Sequence, residues 1–463
     1  MTFYDEIVYV LILSSSVASG LLLRSVENSR IKQLLSSSFG LLVVLFLCGW
    51  ETLHSILSII GTLCIIKSHN KQTPLLAFIF VFSYLLFFRC STLFGLPKSS
   101  AVGNAVQLLL TLKLISVAIE IHDYRQRKSR EKSKDDTPSS RFQLSLQEEP
   151  NTYDIICYSY CYVGLFTGPF YKFRTYQDFL DQTVHQSQVI PWKEEILIRF
   201  KQISFYAVMY FIATVLFSVD HVRSDAFYES SFLYRLVYMV PIFFLGRMRF
   251  YSAWLLAECS FITAAFGAYP KSSNPKPGHG PTVEYDSTEE SESIEYSFET
   301  IRNINPEGSE WSKTVRDGMR NWNMTVQWWL ANYVGKRWPA HLKQFRTAAV
   351  LGCSAYWHGI APGYFGAFLT MPFVMFAEDL LSKLVRQKLN EGNQLQYDWL
   401  NWFFKMRSFE YMYMAFALLT WEDTYRWWKS VYFIGHVVCL LVILSCTVVQ
   451  LLLSKPKKVK KEE

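Results

Sequence analysis

Apolar segments recur along this chain from near its first residue to near its last, and short polar stretches separate them. A helix needs roughly 20 apolar residues to cross about 30 Å of hydrocarbon, and several segments approach that length. Others are shorter or interrupted by polar residues, which is typical of broken or re-entrant helices. The clearest apolar segments cover residues 7–23, 39–47, 53–66, 75–88, 105–121, 203–219, 233–245, 253–268, 348–360, 365–381, 411–419 and 431–453.

This pattern predicts an all-α polytopic membrane protein. We expect a multi-helix bundle of roughly 9 to 12 transmembrane or re-entrant helices around a buried reaction chamber. Composition supports this, because 51% of the 463 residues are hydrophobic, 17% are aromatic and only 18% are charged. We therefore expect residues 1–463 to form a single membrane domain, where a soluble chain of this length would divide into two or three.

The hydrophilic segments suggest a topology. Residues 125–150 carry an excess of Lys and Arg, which favours a cytosolic basic loop, and residues 455–463 form a second basic tail on the same side. The final Lys460-Lys461-Glu462-Glu463 resembles the dilysine retrieval signal of endoplasmic reticulum membrane proteins. The net charge of +7 lies mainly in such segments, which suits an anionic membrane surface better than nucleic acid.

Residues 271–312 differ in composition, since Pro, Gly, Ser and Lys give way to a run of acids. We expect a hydrophilic, partly disordered loop that acts as a solvated connector. The nine cysteines lie mostly in apolar runs without Cys-x-x-Cys spacing, so we expect packed thiols. No His, Cys and carboxylate set has metal-ligand spacing, and no phosphate-binding Gly-rich loop is present.

Two polar residues in apolar surroundings stand out in the region 313–382. Asn323 lies among tryptophans and His358 lies inside a long apolar run, and such residues are costly in a membrane unless they serve a site. A neutral imidazole can accept a proton near neutral pH. The Asn323 amide can orient a partner or stabilise an oxyanion, and the sequence leaves both roles open. Taken singly, each residue also fits a structural role.

Neighbours of this pair are candidate substrate-binding residues. Gln327 lies four residues after Asn323, so on one helix both amides would share a face, flanked by Trp328. Ser354 precedes His358 by one helical turn, and a Ser–His pair with a covalent acyl-enzyme is the less favoured alternative to a packing role. Tyr356 lies between them.

Arginines between two apolar segments offer a second candidate set. Arg247 and Arg249 could bind a substrate phosphate, or they could be interfacial arginines at a helix junction, with Glu258 as one possible partner. Lys172 and Arg174 have the same ambiguity.

The residues around Asn323 and His358 carry a resemblance to a known family. The paired Asn and His resemble the membrane-bound O-acyltransferases, and longer strings look like the lysophosphatidylinositol acyltransferase branch of that family. Those strings include Trp322-Asn-Met-Thr-Val-Gln-Trp-Trp-Leu330, Ser354-Ala-Tyr-Trp-His358, Thr167-Gly-Pro-Phe170, Arg247-Met-Arg-Phe-Tyr251, Glu299-Thr-Ile-Arg-Asn303 and Arg316-Asp-Gly-Met319.

The resemblance implies transfer of an acyl chain, favouring arachidonoyl and similar polyunsaturated chains, from acyl-CoA to the sn-2 hydroxyl of lysophosphatidylinositol. His358 would then be the general base and Asn323 its partner. Acyl-CoA would be a cosubstrate, with no tightly bound cofactor and no metal, and the protein would reside in the endoplasmic reticulum membrane. Two alternatives stay open: an acyltransferase for another lysophospholipid, a sterol or a protein, and a non-enzymatic lipid transporter or scaffold.

Overall fold

The computed structural model describes residues 3–131, 145–285 and 294–453. Nearly all regular structure in these ranges is helical, so the prediction of an all-α protein is confirmed. Its first twelve α-helices are α1 (Phe3–Leu23), α2 (Ser29–Cys48), α3 (Thr52–Lys67), α4 (Thr73–Arg89), α5 (Ala101–Glu131), α6 (Thr152–Tyr160), α7 (Phe173–Asp181), α8 (Val184–Val189), α9 (Lys193–Leu216), α10 (Val219–Arg223), α11 (Asp225–Glu229) and α12 (Phe232–Val237).

The second half of the chain contains the remaining elements. Its α-helices are α13 (Met239–Thr263), α14 (Pro306–Trp311), α15 (Val315–Arg320), α16 (Met324–Trp329), α17 (Arg346–His358), α18 (Pro362–Leu384), α19 (Glu391–Leu418), α20 (Trp421–Ser430) and α21 (Ile434–Leu453). Two short strands, β1 (Tyr269–Pro270) and β2 (Tyr296–Ser297), pair antiparallel with Tyr269 opposite Ser297.

The chain divides into two compact units that interleave along the sequence. The first unit comprises Met1–Val208, Met248–Ile304 and Asn323–Pro339. The second unit comprises Met209–Arg247, Asn305–Trp322 and Ala340–Glu463. In the second unit α18 packs against α17, α19 and α21.

Length and hydropathy identify the candidate membrane helices. Within the described residues six are long and apolar enough to span, and Thr73–Arg89 is a shorter apolar helix. One of the six, Ser29–Lys67, contains both α2 and α3 and is interrupted at Gly49, whose φ is 53°. The other five are Tyr4–Leu23, Ala101–Arg130, Lys193–Arg223, Pro362–Lys388 and Ile434–Leu453.

Burial separates a central helix from peripheral ones. In the 18-residue apolar stretch of Ala101–Arg130, 83% of the residues are buried inside the protein. In the corresponding stretch of Lys193–Arg223, only 6% are buried. Large apolar side chains exposed on α9, such as Phe211 and Leu216, suit contact with lipid. The central helix α5 also carries Lys113, which is fully buried and whose Nζ donates to the Tyr158 carbonyl (3.1 Å) and the Tyr171 hydroxyl (2.8 Å).

Two sequence predictions need correction, and part of a third falls outside the described residues. Residues 233–245 and 253–268 are not two spans, because α13 runs without a break through Arg247 and Arg249. The basic segment 125–150 begins as helix, because α5 continues to Glu131. Residues 132–144 and the basic tail 455–463 lie outside the described residues.

The predicted hydrophilic loop 271–312 is also different at its flanks. Ile301 and Ile304 are 0% and 1% exposed, so the apolar side chains that precede α14 are part of the core. Pairing of β1 with β2 further fixes this segment. Residues 286–293, which hold four of its nine acids, lie outside the described residues. The described part is therefore packed structure and not a solvated connector.

All nine cysteines fall within the described residues, and all are free. Six are buried, Cys90 and Cys353 are half-buried, and Cys64 is exposed. The predicted role of packed thiols therefore holds for the majority.

Candidate active site

Asn323 lies immediately before α16, in the first unit, with φ 46° and ψ 51°. Its carbonyl accepts a hydrogen bond from the Gln327 N–H (3.0 Å), but its half-buried side chain does not cap the helix. The prediction that Asn323 and Gln327 share one face of a helix is therefore wrong, since Asn323 has left-handed backbone angles and α16 begins only at Met324. Asparagine enters the left-handed region more readily than most non-glycine residues, so the residue type suits this break in the chain.

A network of buried hydrogen bonds fixes the chain around Asn323. The Thr325 hydroxyl donates to Asn303 Oδ1 (2.6 Å) and accepts from the Phe170 N–H (3.1 Å). The Met324 N–H donates to the Asn303 carbonyl (2.8 Å). Because Thr325 and Asn303 are 0% and 1% exposed, water cannot replace these bonds cheaply. The residues on the C-terminal side of Asn323 are thus held on both their main chain and side chain.

Glu258 anchors the same network from α13. Its Oε1 accepts from the N–H groups of Asn303 (2.7 Å) and Ile304 (3.3 Å), and Arg199 Nε donates to its Oε2 (3.1 Å). Glu258 is 0% exposed, and a buried carboxylate needs such partners. The suggestion that Glu258 pairs with Arg249 is wrong, because Arg249 Nε lies 3.3 Å from Oε1 of Glu6.

Sequence reasoning did not single out Glu258, Asn303 or Thr325 as site residues. One signal was present, since an acid inside an apolar helix must find a partner. The partner could not be read from spacing, because Glu258 and Asn303 are 45 residues apart.

Trp328 and Trp329 attach α16 to the rest of the first unit. Trp329 is fully buried, and its Nε1 donates to the Leu112 carbonyl of α5 (3.1 Å). The Trp328 ring stacks on the Phe170 ring, with 6.3 Å between the ring centres. It meets the His279 ring edge-on, with 5.5 Å between the ring centres. The Lys172 ammonium lies 5.7 Å from the Trp328 ring centre, at a distance that allows a cation–π contact.

A small pocket of about 20 Å³, with room for about one water molecule, lies beside this aromatic group in the first unit. The residues that line it are Lys172, Arg174, Thr175, Asp178, Tyr269, His279, Pro281 and Tyr285. Arg174 Nε donates to Asp178 Oδ1 (2.7 Å), and the Tyr269 hydroxyl donates to Asp178 Oδ2 (2.7 Å).

Burial perturbs the titratable groups of this pocket. Desolvation, reinforced by the positive charge of Lys172, lowers the pKa of His279 to about 4. His279 is therefore neutral at pH 7, and its Nδ1 donates to the Pro281 carbonyl (3.0 Å), so that Nε2 is an acceptor. Burial also lowers the pKa of Lys172. It raises the pKa of Asp178, and the positive charge of Arg174 acts on that pKa in the opposite direction.

His358 lies in the second unit, as the last residue of α17. Its half-buried ring stacks on Phe368 (5.2 Å, 22°) and meets Phe416 edge-on (5.3 Å, 79°). Ser354 is buried one turn earlier on the same helix, and Tyr356 is half-buried. A helix C-terminus and aromatic faces both stabilise a positive charge, so this position suits an imidazole that takes up a proton.

Arg247 is buried in the N-terminal half of α13, and its carboxylate partner belongs to the same unit, the second. It forms an ion pair with Glu310, and its guanidinium carbon lies 4.6 Å from the Phe243 ring centre. Glu310 is held in turn, because Lys405 Nζ and Trp402 Nε1 donate to its carbonyl at 3.0 and 2.7 Å. These contacts give Arg247 a structural role that needs no substrate phosphate.

The structure therefore distributes the predicted site residues over both units. Asn323, Gln327, Trp328 and Arg249 belong to the first unit, and His358, Ser354, Tyr356 and Arg247 belong to the second. Within the described residues no group of three or more His, Cys, Asp and Glu side chains could hold a metal ion.

Comparison with known proteins decides the family. The sequence model of the membrane-bound O-acyltransferase family matches residues 62–421, which is most of the chain. The chain belongs to this family. The membrane-bound O-acyltransferase is 42% identical to a membrane-bound acylglycerophosphatidylinositol O-acyltransferase of Xenopus laevis, with 99% of this chain and 97% of that protein aligned. The predicted family is confirmed.

Two further relatives are also membrane-bound acylglycerophosphatidylinositol O-acyltransferases. The acyltransferase is 42% identical to the Homo sapiens protein over 95% of this chain and 93% of the relative. It is 34% identical to the Drosophila melanogaster protein over 94% and 90% of the two chains. This likeness extends over nearly the full length of each relative and so includes both compact units.

Proposed function

We propose that this membrane-bound O-acyltransferase transfers an acyl chain from acyl-CoA to the sn-2 hydroxyl of lysophosphatidylinositol. The observation that carries the proposal is the 42% identity, over 99% of the chain, to a relative described as an acylglycerophosphatidylinositol O-acyltransferase. Identity at that level over both units favours the same acceptor class. In this proposal the product is a phosphatidylinositol with a renewed acyl chain, as in phospholipid remodelling.

His358 is the general base of the proposed reaction. As the acceptor hydroxyl oxygen attacks the thioester carbonyl, its proton passes to the imidazole and a tetrahedral oxyanion forms. The C–S bond then breaks, and the CoA sulfur takes the proton from the imidazolium and leaves as a thiol. The face of the Phe368 ring and the C-terminal end of α17 support the transient positive charge.

Asn323 supplies the amide that orients the acceptor hydroxyl or stabilises the oxyanion. Its side chain is not used to cap α16, and the Glu258, Asn303 and Thr325 network holds the adjoining chain. Kinetics of Asn323→Gly separate the two roles. A higher KM for the lysolipid alone indicates orientation, whereas a lower kcat with unchanged KM indicates oxyanion stabilisation.

Membranes containing the protein test the proposal when they are incubated with a panel of lysophospholipids and mixed acyl-CoAs, with products identified by mass. We expect phosphatidylinositol as the main product, with arachidonoyl and other polyunsaturated chains preferred. If the main acylated product were instead a different phospholipid, a sterol ester or an acylated protein, the acceptor assignment would be overturned. No CoA release with any acceptor would refute acyl transfer itself.

His358→Ala tests the general base, because it should reduce turnover at least 100-fold without preventing membrane insertion. His341→Ala is the matched control, since His341 is an exposed histidine of the same unit. Wild-type turnover in a folded His358→Ala variant would exclude His358 as the base. Acyl label retained on denatured wild type and lost in Ser354→Ala would instead indicate a covalent acyl-enzyme.

We place the protein in the endoplasmic reticulum membrane on the basis of the Lys460-Lys461 tail. Replacing both lysines with serine should move a tagged protein to later secretory compartments in fluorescence images. An unchanged distribution would show that this tail is not the retrieval signal.

A further inference from the structure

A hydrogen-bond chain joins three helices of the second unit at His436 of α21. Its Nε2 lies 3.0 Å from the Thr370 hydroxyl of α18, and its Nδ1 lies 2.8 Å from the Tyr411 hydroxyl of α19. Thr370 and Tyr411 are 6% and 3% exposed, and His436 is half-buried. A histidine in a membrane helix is costly and marks a candidate functional residue. Neither the family match nor the relatives' descriptions assign a role to these residues.

The direction of the chain can be assigned because each hydroxyl has one proton. Thr370 donates its proton to the Gly366 carbonyl (2.7 Å), so it accepts from His436 Nε2. A neutral imidazole carries a proton on one nitrogen only, which leaves Nδ1 to accept from the Tyr411 hydroxyl. The hydrogen bonds therefore run in one direction, from α19 through α21 to α18.

Close packing on the same face of α18 brings these helices together. A Cβ added to Gly363 would lie 2.2 Å from the Ala415 carbonyl oxygen of α19. One added to Gly366 would lie 2.9 Å from the Trp428 ring of α20. Gly363, Gly366 and Thr370 are spaced to share one face of a helix. The hydrogen-bond chain is thus the polar part of a tight contact between α18 and its neighbours.

Two of the joined helices also hold the ring of His358. Phe368 of α18 stacks on this imidazole, and Phe416 of α19 meets it edge-on. We call these two rings the aromatic clamp. Because they come from different helices, their spacing depends on how α18 and α19 are held together. The chain joins these helices at Thr370, two residues after Phe368, and at Tyr411, five residues before Phe416.

We propose that His436 is a positioning residue for acyl transfer, because it holds α18 against α19 and thereby keeps the aromatic clamp on the His358 ring. The inference rests on the proposed function, in which that imidazole takes the proton of the acceptor hydroxyl. A general base must lie within hydrogen-bond reach of the proton it removes. A misplacement of about 1 Å at the reacting groups can cost roughly 100-fold in rate. His436 acts through the clamp and not on the substrate.

Kinetics of purified His436→Ala, expressed per folded molecule, test the proposal. We expect kcat to fall roughly 10- to 100-fold. KM for acyl-CoA and for the lysolipid should change little, because the clamp aligns the base and does not bind substrate. His436→Gln keeps a donor near the position of Nε2 and should restore part of kcat. A higher KM with unchanged kcat would overturn the positioning role.

Chemical labelling of His358 reports on the clamp without depending on turnover. Diethyl pyrocarbonate modifies neutral imidazoles, and mass spectrometry gives the rate at each histidine. In folded His436→Ala we expect His358 to react faster than in wild type, because a loosened clamp opens more often. The exposed His341 should react at the wild-type rate. An unchanged rate at His358 would contradict action through the clamp, even if kcat fell.

His54→Ala is the matched control. His54 is a buried histidine in an apolar helix, and its Nδ1 lies 3.0 Å from the Tyr84 hydroxyl, but it belongs to the first unit. This variant should lose thermal stability while kcat per folded molecule and the labelling rate of His358 stay at wild-type values. If His54→Ala gave the same changes as His436→Ala, a general loss of packing would explain both and the positioning role would be refuted.

Two complications have their own readout. If His436→Ala does not fold, Tyr411→Phe removes a single hydroxyl from the chain and should show both changes; wild-type kcat and labelling in that variant would overturn the proposal. If wild type transfers no acyl chain, the proposed function fails. Faster labelling of His358 in His436→Ala then still supports the contact between His436 and the clamp, and an unchanged rate refutes it.

Discussion

Thr325→Val removes one hydroxyl at the centre of the network beside Asn323 while keeping a side chain of similar shape. Two buried partners are left unpaired, the Asn303 Oδ1 that accepts at 2.6 Å and the Phe170 N–H that donates at 3.1 Å. Each buried unsatisfied group costs about 1–3 kcal/mol. Relaxation around the valine offsets part of this, so we expect a loss of about 2–4 kcal/mol in the free energy of unfolding.

Thermal unfolding of the detergent-solubilised protein measures the effect, and turnover per folded molecule should fall with it because the chain next to Asn323 is released. Thr325→Ser keeps the hydroxyl and should retain most of both quantities. Thr214→Val is the matched control, since Thr214 is exposed on α9 and its hydroxyl only bonds back to the Phe211 carbonyl (2.7 Å); it should change stability by less than about 0.5 kcal/mol. If Thr325→Val were as stable and active as the control, the network would not position Asn323.

Three further predictions follow from the first unit. Asn323→Gly and Asn323→Ala should lose activity equally if the amide is what matters, but the alanine variant should be less stable by about 1 kcal/mol in thermal unfolding, because φ is +46°; equal stability would contradict the left-handed backbone. Glu258→Gln should lower the free energy of unfolding by about 1–3 kcal/mol, because Arg199 loses its buried partner and keeps only the ion pair with the partly exposed Glu195; unfolding of the Glu258→Gln, Arg199→Met double variant should recover part of that loss, and no recovery would argue against the pair. Folding depresses the pKa of His279 from 6.5 to about 4, so the unfolded chain binds more protons below pH 6.5 and stability should decline by up to about 3 kcal/mol as pH falls from 6.5 to 4; a His279→Gln variant with the same decline would refute this cause.

Hydropathy predicted the long helices well because a membrane span leaves a strong one-dimensional signal. The apolar segments that correspond to α1, α3, α4, α5 and α18 were visible from the hydropathy pattern alone. Helix α13 was misjudged because Arg247 and Arg249 interrupt the apolar run, while in three dimensions Glu310 and Glu6 pair with them. Partners that lie far apart in sequence cannot be read from a local pattern.

The candidate site was predictable in residue identity but not in backbone geometry. Asn323 and Gln327 have helical spacing, yet a single left-handed residue delays the start of α16 to Met324, and the contacts that hold it there come from Asn303 and Phe170. His279 lay in a segment that composition assigned to solvated loop. Its packing depends on contact with Trp328, which no spacing rule connects to it.

The buried Lys113 of α5 bears on how the protein is made. Its ammonium is bound by the Tyr158 carbonyl and the Tyr171 hydroxyl, which are 45 and 58 residues further along the chain. While the ribosome is still synthesising those residues, α5 carries an unsatisfied charge, which costs roughly 2.5–3.5 kcal/mol at the centre of an inserting helix. Stable insertion of this helix therefore depends on later parts of the chain, so in a chain truncated between α5 and Tyr171 helix α5 should be held less stably in the membrane than in the intact chain, while the apolar helices before it still anchor the product.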